Sequence, residues 1–145
     1  MSAASESSGE LSAEDRKLVT LARGTRARTG AAEGAAVRDS DGRTYAAATV
    51  DLPSLQVSAL GVCVAMAVAS GSRGLEAAVV LTGADDLAAT DLAALGDFAG
   101  PGVVVHLGDP RGAVRATSTT RTVPHARRPI RRGGPDAGRR GAGVR

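Results

Sequence analysis

From Leu55 to Ala69 the chain carries no charged residue and is apolar at nearly every position, through Val57, Leu60, Val62, Val64, Met66 and Val68, before it stops at Ser70-Gly71. A helix with no polar face has no side that gains from contact with water, so it must be enclosed by other elements. The pattern predicts one central, buried helix across residues 55 to 70, with the rest of the fold built around it. The run is shorter than the ~20 apolar residues a bilayer crossing requires. No basic segment precedes an apolar stretch near Met1, so neither a signal peptide nor a membrane partner is expected, and the expected location is the cytoplasm.

What can enclose that helix is limited by side-chain size. Tyr45 and Phe98 are the only aromatic residues among 145, and there is no Trp. The core must therefore come from Ala, Val and Leu, which draws neighbouring elements close together. The length suits one domain. Cys63 is the only cysteine, which excludes an internal disulfide and any metal site needing two thiolates from one chain. In the middle of the apolar run it reads as a small core residue.

The remaining elements follow from local signals. Ser12 and Asp15 are spaced like a capping box, with Leu18, Leu21, Ala22 and Thr25 at helical spacing behind them, so a helix is expected over roughly 12 to 28. Acids at Glu14 and Asp15 and bases at Arg23, Arg26 and Arg28 suit its dipole. Glu33 to Val37 and Arg43 to Val50 flank Asp39-Ser40-Asp41-Gly42 and predict a β-hairpin that depends on burial of Ala36, Tyr45, Ala47 and Val50. Strand, helix and strand are expected at 76–81, 87–95 and 103–107, with a last strand near 112–117 after Gly108-Asp109-Pro110. This order predicts a mixed sheet between two helical layers, a three-layer α/β/α sandwich.

The charge is divided unevenly. Residues 119–145 hold eight Arg against the single acid Asp136, whereas residues 1–118 carry a small excess of acids. Residues 1–11 read as a flexible leader and 119–145 as an Arg, Gly and Pro-rich tail expected to be disordered, which leaves 12–118 as the domain. Three readings of the tail stay open. It is a solvated appendage, a non-specific and salt-dependent contact for phosphates without aromatic stacking, or, on the family resemblance given below, whose members end in an apolar segment from which Arg121-Thr122-Val123-Pro124 departs, the product of a reading-frame change.

The text Glu33-Gly34-Ala35-Ala36-Val37, Asp41-Gly42-Arg43-Thr44-Tyr45, Thr49-Val50-Asp51 and Ala67-Val68-Ala69-Ser70-Gly71 resembles the small, homo-oligomeric cytidine deaminases over roughly residues 12–115. The resemblance implies a cytidine-deaminase-like α/β/α fold and self-association. In that family C-A-E opens the buried helix and P-C-x-x-C opens a later one, supplying three zinc ligands and the Glu that shuttles protons. This chain has Ser58-Ala59-Leu60 at the first motif, and no Cys or His between Thr82 and Gly100, where the second belongs. Ser58 and Leu60 are therefore degenerate catalytic positions, with no metal ligand and no zinc cofactor implied. Zinc takes the pKa of water from about 15.7 to about 7, and an alkyl side chain cannot replace the proton carrier. Cys63 lies more than one helical turn beyond Ser58 and does not substitute. The family's ribose-binding Asn and Glu match Thr49 and Asp51, which are retained nucleoside contacts or merely the end of a strand and the start of a helix. The link from Val50 to Ser58 is also shorter than the family's.

Other constellations carry less. His106 lies in an apolar strand and is expected to be structural; His125 lies far off in the tail, so His106 has no second ligand nearby for a metal. Gly71-Ser72-Arg73-Gly74 lacks the lysine of a phosphate loop and follows a helix, and Ser58 has no evident base that would make it a hydrolase nucleophile. The expectation is a deaminase-like protein without deaminase activity that binds a nucleoside or a partner and self-associates. Two alternatives remain. One is an active cytidine deaminase of pyrimidine salvage, using zinc and converting cytidine or deoxycytidine to uridine or deoxyuridine with ligands donated across a subunit interface. The other is a nucleic-acid-associated protein acting through the basic tail.

Overall fold

A computed structural model describes residues 10–121. Most of the expected leader and nearly all of the basic tail, His125 included, lie outside the described residues.

Ser12 caps the first helix, α1 (Ala13–Thr29), by accepting from the Asp15 backbone N–H at 3.1 Å. Gly30, at φ 67, closes it in the left-handed region that suits glycine. Strands β1 (Gly34–Asp39) and β2 (Thr44–Ala48) form the expected hairpin, with Gly42 supplying the positive φ of its turn. After them come a short hairpin, β3 (Val50–Leu52) and β4 (Leu55–Val57), then α2 (Ala59–Ala69), β5 (Leu75–Leu81), α3 (Ala89–Ala99), β6 (Val104–Gly108) and β7 (Val114–Thr119).

The main sheet has the order β2-β1-β5-β6-β7. Only β5 and β6 run parallel, joined through α3, and every other pair is antiparallel. Alternate residues of each strand serve opposite layers. Leu18 and Ala22 of α1 pack on Ala36, Ala77, Val79 and Leu81, whereas Leu60, Cys63 and Val64 of α2 and Leu95 of α3 pack on Val37, Val80 and Val105. The molecule is therefore the expected α/β/α sandwich with a mixed sheet. Small residues set its spacing: a Cβ added at Gly34 would collide with the Ala22 carbonyl oxygen, so α1 crosses β1 almost backbone to backbone.

Three local expectations are corrected. The helix predicted over 55–70 begins only at Ala59, because Ser58 is its N-cap and Leu55–Val57 pairs with Val50–Leu52 across the turn at Pro53. The strand predicted to run to Val50 ends at Ala48, and Val50 starts the new hairpin. Nor is α2 enclosed on all sides: Ala59, Leu60, Cys63, Val64 and Ala67 are buried, but Val68 is 51% exposed and Ala65 also faces out. Lying in an outer layer, α2 is covered among the described residues mainly by the sheet and α3. Smaller shifts put α3 at 89–99 in place of 87–95, and the last strand at 114–119 in place of 112–117.

Candidate functional site

Two helices begin at the same place. The Ser58 hydroxyl accepts from the Gly61 backbone N–H at 2.9 Å, which caps α2, and donates to Asp91 Oδ1 in the first turn of α3 at 2.6 Å. Gly61 leaves room for that cap, since a Cβ there would sit 2.9 Å from Ser58 Oγ. The N-cap of α3, Ala88, makes no side-chain cap bond. Helix N-termini carry partial positive charge, so the Asp91 carboxylate stands where two such ends converge and favours both. Asp91 is buried at 6% exposure. Sequence reading missed it; its one signal was an acid in the first turn of a helix without a Ser, Thr, Asn or Asp cap.

Leu60 is fully buried in the core beneath α2 and presents no functional group. The Thr49 hydroxyl accepts from the Glu33 backbone N–H at 2.9 Å and lies 3.4 Å from the Glu33 carbonyl, tying the end of β2 to the start of β1. Asp51 sits exposed on β3, opposite Gln56 on β4, in the hairpin that leads into α2. Cys63 is buried, its thiol donates toward the Tyr45 carbonyl at 3.7 Å, and burial pushes its pKa up to about 12. At neutral pH it is a thiol and not the thiolate a metal requires.

A tetrahedral zinc site needs thiolate or imidazole donors around an open position. The α2–α3 junction offers one hydroxyl and one carboxylate, already bonded to each other. Among the described residues no group of three His, Cys, Asp or Glu side chains is placed to hold a metal ion. The donor set does not fit zinc. A cleft of about 680 Å3 lies elsewhere, between α3 and β7, lined by residues such as Leu92, Gly96, Pro101 and Thr119 and touching neither Ser58 nor Asp91.

Residues 11–112 match a family model described as cytidine deaminase-like. The chain belongs to that family. Among solved structures of similar fold are cytidine deaminases from Burkholderia pseudomallei (TM-score 0.63, 21% identity, covering 72% of this chain and 91% of that one) and Mycobacterium leprae (TM-score 0.57, 21% identity, 72% and 91%). The cytidine deaminase from Bacillus anthracis shares the fold at 13% identity, with a TM-score of 0.56 and coverage of 75% and 84%. No curated protein sequence matches the chain significantly. The cytidine deaminase-like fold is thus held by an Ala- and Val-rich core, while the helix junction carries Ser58 and Asp91. No helix among the described residues is long and apolar enough to cross a membrane.

Proposed function

We propose that this family member does not carry out zinc-dependent deamination and acts instead as a non-catalytic protein that binds a nucleoside or a partner. The observation that carries this reading is the Ser58–Asp91 hydrogen bond at 2.6 Å. It joins the two helix starts where the resemblance expects cysteine ligands, and it uses groups that hold zinc poorly without sulfur or imidazole beside them. Leu60 removes the proton carrier as well, and general acid–base assistance is worth about 10² to 10⁴ in rate. Asp51, exposed on the hairpin that leads into α2, is available to a sugar hydroxyl, while the Thr49 hydroxyl is already engaged with Glu33. Self-association is supported by the apolar outer face of α2, where Ala65 and the half-exposed Val68 are left uncovered by the described residues. The occupant we assign to that face is a second copy of this chain.

Metal analysis of the purified protein combined with cytidine and deoxycytidine absorbance assays tests the reading. Zinc well below one per chain and unchanged absorbance are expected, together with a thermal shift from at least one nucleoside or capture of a defined partner. Stoichiometric zinc whose removal abolishes deamination would overturn it and establish the active salvage enzyme instead. Light scattering tests the α2 face: Val68→Glu should reduce the mass of the assembly, and an unchanged mass rules that interface out.

A further inference from the structure

A second polar constellation lies on the opposite face of the sheet. His106 belongs to the α1 side, because Val104, two residues earlier on β6, packs with Leu18 and Val79, whereas Val105 and Leu107 face α2. Its Nε2 lies 2.7 Å from Asp15 Oδ2 on the first turn of α1, and its Nδ1 lies 2.9 Å from Thr117 Oγ1, directly opposite on β7. The other Asp15 oxygen accepts from Arg38 at 3.0 Å, and Arg38 in turn donates to Glu76 at 3.0 Å. Burial pushes the Asp15 carboxyl up, but the bonds and charges of His106 and Arg38 outweigh it and hold Asp15 below its ordinary value.

An ionised carboxylate only accepts hydrogen bonds. His106 therefore donates through Nε2 to Asp15, and in the neutral ring, the form in which it is a base, Nδ1 offers its lone pair to the Thr117 hydroxyl, which donates. Asp15 and His106 are buried, while Thr117 is exposed on an edge strand. Orienting acid, base and hydroxyl thus stand in line and end at the surface, each within the reach that nucleophile activation requires.

We propose that Thr117 is a nucleophile with His106 as its general base and Asp15 as the positioning residue, and that the site acts on small carboxylic esters by acyl transfer. Thr117 Oγ1 bonds to the ester carbonyl carbon as its proton passes to His106 Nδ1. The bond to the leaving alcohol breaks and that oxygen takes the proton from Nδ1. Water then attacks the acyl-threonine, returning a proton through Nδ1 to Thr117 and releasing the carboxylic acid, with no change of oxidation state. Among the described residues β7 is an edge strand, and the backbone N–H groups on the outer side of such a strand are the kind of donor that stabilises a developing oxyanion.

The test is to label the full chain with a fluorophosphonate probe, map the adduct by mass spectrometry and follow hydrolysis of p-nitrophenyl acetate. One adduct at Thr117 is expected, retained in Thr117→Ser and lost in Thr117→Val and His106→Gln. Asp15→Asn should slow labelling by about 10² or more, with partial rescue by Asp15→Glu. Because His106 and Asp15 are buried, their variants lose stability too, so the exposed Thr117→Val is the deciding variant and should melt like the parent chain. No adduct, an adduct elsewhere, or undiminished labelling of Thr117→Val would overturn the proposal. None of these outcomes depends on the Ser58–Asp91 reading.

Discussion

Ser58 at the head of α2 and Asp91 in the first turn of α3 are 33 residues apart and share a 2.6 Å hydrogen bond. The bond serves both helices: the hydroxyl that caps α2 also supplies a donor to a carboxylate buried between the two helix starts.

Ser58→Ala removes an N-cap, worth about 0.5–2 kcal/mol, and also leaves the buried Asp91 without that donor, which adds about 1–3 kcal/mol. Urea denaturation should show the combined loss. A double-mutant cycle with Asp91→Ala should return a favourable coupling; additive effects would mean that the two groups do not cooperate.

Restoring the family's glutamate at position 60 should fail structurally. Leu60 has no exposed surface, and a charge placed there without a partner should destabilise the domain by about 3 kcal/mol or more. Leu60→Met, which nearly conserves volume, should cost less than about 1.5 kcal/mol. Comparing the two melting temperatures checks that burial, and not the local helix, governs this position.

Asp39 sets a pH dependence. Burial pushes its carboxyl up, but bonds from the Arg43 and Asp41 N–H groups at 2.8 and 3.0 Å and the Ser72 hydroxyl at 3.1 Å, with Tyr45 farther off at 3.4 Å, outweigh it and hold the group below 3.8. The folded value lies below the unfolded one, so this stabilisation is complete well above the unfolded value and is lost as pH falls through the folded one. Thermal melts from about pH 5 downward should show falling stability. Asp39→Asn should lower the melting temperature near neutrality and flatten that slope; an unchanged slope would place the acid sensitivity elsewhere, Asp15 and Asp109 being shifted in the same direction.

Two glycines on either side of the α1 crossing should respond with opposite signs. Gly34→Ala forces a Cβ into the Ala22 carbonyl and the Arg26 side chain, at a cost of about 1–3 kcal/mol. Gly24 lies within α1, where an added Cβ would meet nothing inside 4 Å, so Gly24→Ala should stabilise by about 0.5–1 kcal/mol. Chemical denaturation of both variants checks how closely α1 rides on β1.

Much of the architecture was legible because its signals are local. Ser12 announces α1, Asp41-Gly42 announces the first hairpin, and the nearly continuous apolar runs of β5 and β6 suit strands buried between two layers. The start of α2 was misread because Leu55 and Val57 are as apolar as the helix that follows, and only pairing with Val50 and Leu52 separates them from it. The outer face of α2 was misread for a related reason: its hydrophobicity is visible in the text, but its position at the outside of the sandwich is not.

The chain alone determined that Ser58 and Leu60 stand where a thiolate and a carboxylate are expected, since a side chain's chemistry belongs to its residue wherever the backbone takes it. It did not determine that Ser58 would meet Asp91, or that Asp15 would meet His106 across 91 residues. Those meetings depend on strand order, on which helices share a layer and on where each helix begins. They were settled by long-range packing of small side chains, a cooperative outcome that no short window of sequence contains.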